Sequence, residues 1–239
     1  MTMHDKRRSL IYRGERFGIP EFNGSKHLEV KRLYEALSGV WAQWNSLLDG
    51  VEAIAADTTL PADLQKIRIK RHAENRLNAQ AIALSGIIAE AHAEISRQTK
   101  AFETALMSRR SAADETRKGQ IRNALLSMPD GKRTETIRNA IQSGDLAIIE
   151  AVASGYAWES GAIAMHMDEC KTAFCKLTSK DEFEKVTQLR EGVEHLQKAL
   201  YGLADAVTQD VIPPDAALIQ HKQEAAKQAE GGNENAVIK

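Results

Sequence analysis

Residues 28–56 read LEVKRLYEALSGVWAQWNSLLDGVEAIAA, and residues 57–61, DTTLP, interrupt the pattern before it resumes. In the first stretch Val30, Tyr34, Leu37, Trp41, Trp44, Leu48, Val51 and Ala55 recur at alternating spacings of four and three. That is the period of one face of an α-helix. Leu33, Val40, Leu47 and Ile54 add a second line at seven-residue intervals. A stripe of that width faces more than one partner.

Pro61 suits the first turn of a second helix, because the amide hydrogen it lacks has no intrahelical acceptor there. This helix is expected to run to about Arg110, with Ile67, Leu77, Ala81, Leu84, Ile88, Ala91, Ile95, Phe102 and Ala105 along its seam. At 1.5 Å per residue it is roughly 70 Å long. So short a break between helices forces an antiparallel hairpin. Facing residue numbers should then sum to about 117, which sets Val51 against Ile67, Trp44 near Ala73 and Val30 against Ile88.

The first helix runs out opposite residue 89 or so, yet the second keeps its stripe through Ala91, Ile95, Phe102 and Leu106. Residues 180–209 supply the expected cover, through Val186, Leu189, Val193, Leu196, Leu200, Leu203 and Val207. Ser179 with Glu182 has the spacing of a capping box at the start of that helix.

Residues 1–27 show no helical period, and Tyr12, Phe17, Pro20, Phe22 and Gly24 are scattered among charges, as in an extended arm. Residues 112–176 read as short helices punctuated by Met128-Pro129-Asp130-Gly131, Ser143-Gly144-Asp145 and Ser154-Gly155. Within them QIRNAL at 120–125 is echoed by TIRNAI at 136–141, one copy short of the roughly three that a repeat array needs. Pro213-Pro214 ends the long C-terminal helix, residues 215–229 can form a polar, Ala-rich helix, and residues 231–239 read as tail.

The expected architecture is therefore all-α: an elongated antiparallel helical hairpin with a long C-terminal helix packed on it, and a subdomain of short helices. Its parts are an arm at 1–27, the hairpin at 28–111, the short helices at 112–176, the covering helix at 177–210 and a polar tail at 211–239.

Composition agrees. Of 239 residues, 43% are hydrophobic but only 5% aromatic, the balance of packed helices and not of a β-sandwich. The net charge of −1 is uneven: residues 1–122 hold 20 Lys+Arg and 15 Asp+Glu, a net +5, and residues 123–239 hold 12 and 18, a net −6. This polarity can orient neighbouring subunits, but it is too weak to make nucleic acid the principal ligand. Two cysteines, no leader-like apolar region after the basic N-terminus and no apolar run near 20 residues point to a protein made in the reducing cytoplasm.

Few residues invite chemistry. His166 and Cys170 share a helical face, four residues apart, and Cys175 points elsewhere. Two ligands without a second pair make a poor metal site, so buried thiols and an ordinary histidine are expected. Lys66, Arg68, Lys70, Arg71 and Arg76 are candidate contacts for a polyanion or an acidic protein, but they spread around the helix with Asp63 and Glu74 among them. Trp41, Trp44, Leu84, Ile88, Ile95 and Phe102 are candidates for core or subunit contact. No phosphate loop, nucleophile elbow or zinc-protease motif occurs. No catalytic residue, metal or cofactor is expected, and the chain reads as non-enzymatic.

With its hairpin at 28–110, the echo at Ile121–Leu125 and Ile137–Ile141 followed by Gly144-Asp145, and the Ala/Gln/Lys-rich end from Gln220, the chain resembles in texture the helical accessory proteins of tailed bacteriophages: scaffold, adaptor or internal ejection proteins. The resemblance implies a multicopy component of a virion or of its assembly intermediate, with itself and other structural proteins as partners. The competing expectation is a cytoplasmic helical module that binds a protein or nucleic acid.

Overall fold

The structure is a computed structural model that describes residues 24–108 and 112–234. Among them the protein is all-α. The long helices are α1 (Leu28–Ala56), α2 (Ala62–Ser108) and α8 (Lys180–Ala206), and α1 and α2 form a hairpin against which α8 packs. Between α2 and α8 lie α3 (Ala112–Leu126), α4 (Asp130–Ser143), α5 (Leu146–Ala153), α6 (Ala157–Ser160) and α7 (Ala164–Thr178). A π turn, Val207–Val211, ends α8, and α9 (Ala216–Glu234) closes the described chain. The polar tail is thus helical over much of its length. Residues 1–23 of the expected arm at 1–27 and the last residues, 235–239, lie outside the described residues.

The chain divides into two compact units, residues 24–91 with 191–234 and residues 92–190. In the first, α1 buries Val30, Leu33, Leu37, Val40, Trp44, Leu47, Leu48 and Val51. Facing helices offer Ile67, Ala73, Leu84, Ala91, Leu196, Ala199 and Leu203, so large side chains meet many small ones and the layers interdigitate.

Two glycines set how closely these helices approach. A Cβ on Gly50 would lie 2.2 Å from Nε2 of His72, and one on Gly192 would lie 2.6 Å from Cδ2 of Leu33. The first contact joins residue numbers that sum to 122, five more than the loop alone implies. Part of the difference is the lean of helical side chains toward their own N-terminus. At the start of α2, Lys66 pairs with Asp215, and Lys70 Nζ donates to Gln220 Oε1 at 3.0 Å. These contacts hold the beginning of α9, where Ala216 is fully buried.

The second unit packs around α5, whose Ile149, Ala151, Val152 and Ala153 are buried. Leu106, Leu125, Ile137, Cys170 and Phe174 complete its core. Both copies of the sequence echo serve this core: Leu125 and Ile137 are buried, and Ile121 and Ile141 pack against them. Gly144, at φ 72°, ends α4 in the left-handed conformation. Asp145 then caps α5 by accepting from the N–H groups of Ala147 at 3.1 Å and Ile148 at 3.4 Å. Within this unit Lys185 of α8 donates to Glu94 of α2 at 2.7 Å, which places the covering helix on the far half of α2. No helix among the described residues is long and apolar enough to cross a membrane.

Candidate interaction surface

The second unit also holds buried charges. Lys118 and Arg122, one turn apart on α3, are each only 6% exposed. Charges so far from water need partners. Lys118 Nζ lies 2.9 Å from Oε1 of Glu150. Arg122 Nη2 pairs with Glu115, its Nε lies 3.2 Å from Oε2 of Glu159, and its Nη1 donates to the Ala151 carbonyl at 3.2 Å. Glu159 Oε2 also accepts from the Tyr156 N–H at 3.0 Å. One carboxylate therefore caps α6 and ties it to the buried arginine.

Arg133 of α4 does the same at the other end of α6. Its guanidinium donates to the carbonyls of Leu125 at 2.9 Å, Leu126 at 3.2 Å, Met128 at 2.7 Å and Gly161 at 3.0 Å. The first two lie in the last turn of α3, where the Leu125 carbonyl also accepts from the Met128 N–H at 3.1 Å; the third follows that helix, and the fourth follows α6.

Both arginines reach their seats because glycine stands there. A Cβ on Gly155 would lie 2.7 Å from Cδ of Arg122, and one on Gly161 would lie 2.6 Å from Nη1 of Arg133. Gly161 also has φ 64°, which a side chain disfavours. A four-residue helix has little stability of its own; here two arginines brace it from both ends.

What the brace presents is apolar. Tyr156 and Trp158 stack with ring centroids 6.2 Å apart and planes 8° from parallel, yet they are 68% and 73% exposed. Ile163 and Met165 follow and are also exposed, as is Leu126, whose carbonyl shares the Arg133 guanidinium with Gly161. Beside α3 an open hollow of about 250 Å³ is lined by Asp114, Arg117, Lys118, Ile121, Ala147 and Glu150. The Lys118 ammonium there is already engaged by Glu150.

The residues singled out from sequence take quieter places. Trp44 is buried, and its indole N–H has no hydrogen-bond partner among the described residues; Trp41 is half-buried. Leu84 is buried, and Ile88, Ile95 and Phe102 are half-buried. Lys66 and Lys70 contact α9 as described, Lys70 also lies 3.7 Å from Glu74, and Arg68, Arg71 and Arg76 are exposed.

His166 and Cys170 are both buried in the second unit, and Cys175 is half-buried. Burial pushes the Cys170 thiol up to about 12 and also raises that of Cys175, so both stay protonated near neutrality, unlike the thiolates that bind metals. Among the described residues no group of three or more His, Cys, Asp or Glu is placed to hold a metal.

Sequence reading passed over Tyr156, Trp158 and their brace. The usable signal was SGYAWESG at 154–161: two aromatics between glycines, in a stretch too short for an amphipathic pattern. No protein-family model, curated protein or solved structure matches this chain.

Proposed function

We propose that this chain is a non-enzymatic structural or assembly protein, acting as a homo-oligomer or as one component of a multisubunit complex, and that its setting is a tailed-bacteriophage particle or an intermediate in building one. The observation that carries the assembly reading is the rigid display of exposed aromatics on α6. Large apolar side chains held at the surface by buried ionic braces have the character of contact anchors: ordering them costs little at the moment of binding, and covering them is favourable. The bacteriophage setting rests on the long hairpin, the helical echo and the Ala/Gln/Lys-rich end.

A helical binding module for nucleic acid or an acidic protein is the second reading, favoured by exposed Arg68, Arg71 and Arg76 on α2. Sedimentation at several protein concentrations, with and without DNA and across salt, separates the two. Assembly predicts a mass that grows with concentration and persists in salt. A monomer at every concentration that binds DNA with steep salt dependence would replace it with the module.

A further inference from the structure

We propose that α9 is a strap, closed on the start of α2 by a polar clasp and released by ionic strength while the hairpin stays folded. Release uncovers Lys66 and Lys70, two of the four cations in residues 66–71, KIRIKR.

The strap is separate from the helix before it. After the π turn at Val207–Val211 the backbone is extended at Ile212, φ −73° and ψ 121°, so the hydrogen-bond ladder of α8 stops there. Pro213 and Pro214 keep it from resuming. α9 can therefore leave its seat without unwinding α8.

The seat is small. Over residues 216–225 the less exposed side chains are Ala216, Ile219, Gln220 and Gln223, spaced as one helical face. Only Ala216 of these is buried, and two of the four are amides. Leu218 lies off that face and is 59% exposed. With so little apolar area at the contact, polar groups carry a large share of it.

Those groups are open to water. Lys66 pairs with Asp215, just before α9, at side-chain exposures of 38% and 46%. One turn along α2, Lys70 Nζ donates to Gln220 Oε1 at 3.0 Å, and Nε2 of the same amide donates to Glu224 Oε1 at 2.9 Å. Once released, Lys70 keeps only Glu74 of these partners, 3.7 Å away on α2 itself. Exposed ion pairs are weak and are screened by salt. A freed helix of this length is marginal in water, so undocking and fraying go together.

Hydrogen–deuterium exchange of the full chain, read by mass spectrometry on peptides from α1 and α9, tests this. Raising NaCl from about 0.05 to about 0.5 M is expected to speed exchange over residues 217–225 roughly threefold or more and to leave residues 30–51 unchanged. Lys66→Gln with Lys70→Gln should exchange at the raised rate in both salts, with the melting temperature of the hairpin kept. Asp215→Asn, which keeps the shape and removes the charge from the strap's side, should do the same. Exchange in α9 that ignores salt, or a salt response that survives both variants, overturns the clasp. An acceleration that residues 30–51 share in equal measure overturns the separate strap.

Discussion

At Glu94 three donors meet one carboxylate: Arg97 through two nitrogens, Gln98, and Lys185 from α8. The Arg97 hydrogen bonds foremost, with help from Lys185 and Gln98, hold this carboxyl at about 2 against an ordinary 4.5. A group depressed on folding stabilises the native state fully above its unfolded value, and the contribution fades as pH falls through its folded value. The protein should therefore lose stability between about pH 4.5 and 2, and Glu94→Gln should flatten that part of the profile while lowering the melting temperature at pH 7. Thermal melts across pH check both. Arg122 is the sharper case, because its side chain is 8% exposed and two carboxylates depend on it. Arg122→Met removes the counter-charge from two partly exposed carboxylates and the donor from the Ala151 carbonyl, and should cost about 1.5–3 kcal/mol in denaturant unfolding. Neither role is readable from sequence: Arg122 and Arg138 occupy equivalent places in the internal echo, yet one is buried in an ionic network and the other is exposed.

At the scale of helices, glycines separate what local propensity decides from what packing decides. Gly86 lies within α2 with nothing within 4 Å of an added Cβ. Only the helix-propensity term operates there, so Gly86→Ala should stabilise the protein by about 0.5–1 kcal/mol. Gly192 lies within α8 against buried Leu33. Gly192→Val should destabilise by roughly 2 kcal/mol, because the two helices must separate or Leu33 must leave its rotamer. Chemical denaturation of both variants checks the opposite signs. The long helices were legible because apolar side chains at spacings of three and four must share a face; α1 begins and ends where that period begins and ends. The order of the short helices was legible from the turn residues Pro129, Gly144 and Gly155, of which Gly144 ends α4 in the left-handed conformation. The brace around α6 was not, because it ties α6 to α3 and α4 through contacts 28 and more residues apart that leave no period.

For the molecule as a whole, the assembly reading predicts salt tolerance. The exposed apolar side chains at Tyr156, Trp158, Ile163 and Met165 carry no charge to screen, so raising salt from about 0.1 to 0.5 M should leave the midpoint of self-association unchanged or strengthen it; a midpoint that weakens steeply, followed by sedimentation equilibrium, would assign the contact to ion pairs. The basic run on α2 shows how tertiary structure redirects a sequence signal, since Lys66 meets Asp215, just before α9, and Lys70 meets Gln220 within it. By itself the sequence determined the class of fold, the hairpin, and the need for a third long helix to cover α2, because each is a matter of local period and of apolar area that must leave water. Only the tertiary structure decided which charges are buried, which glycines are seats for arginine, and which aromatics face outward, because exposure belongs to a residue's neighbours in space and no spacing along the chain encodes it.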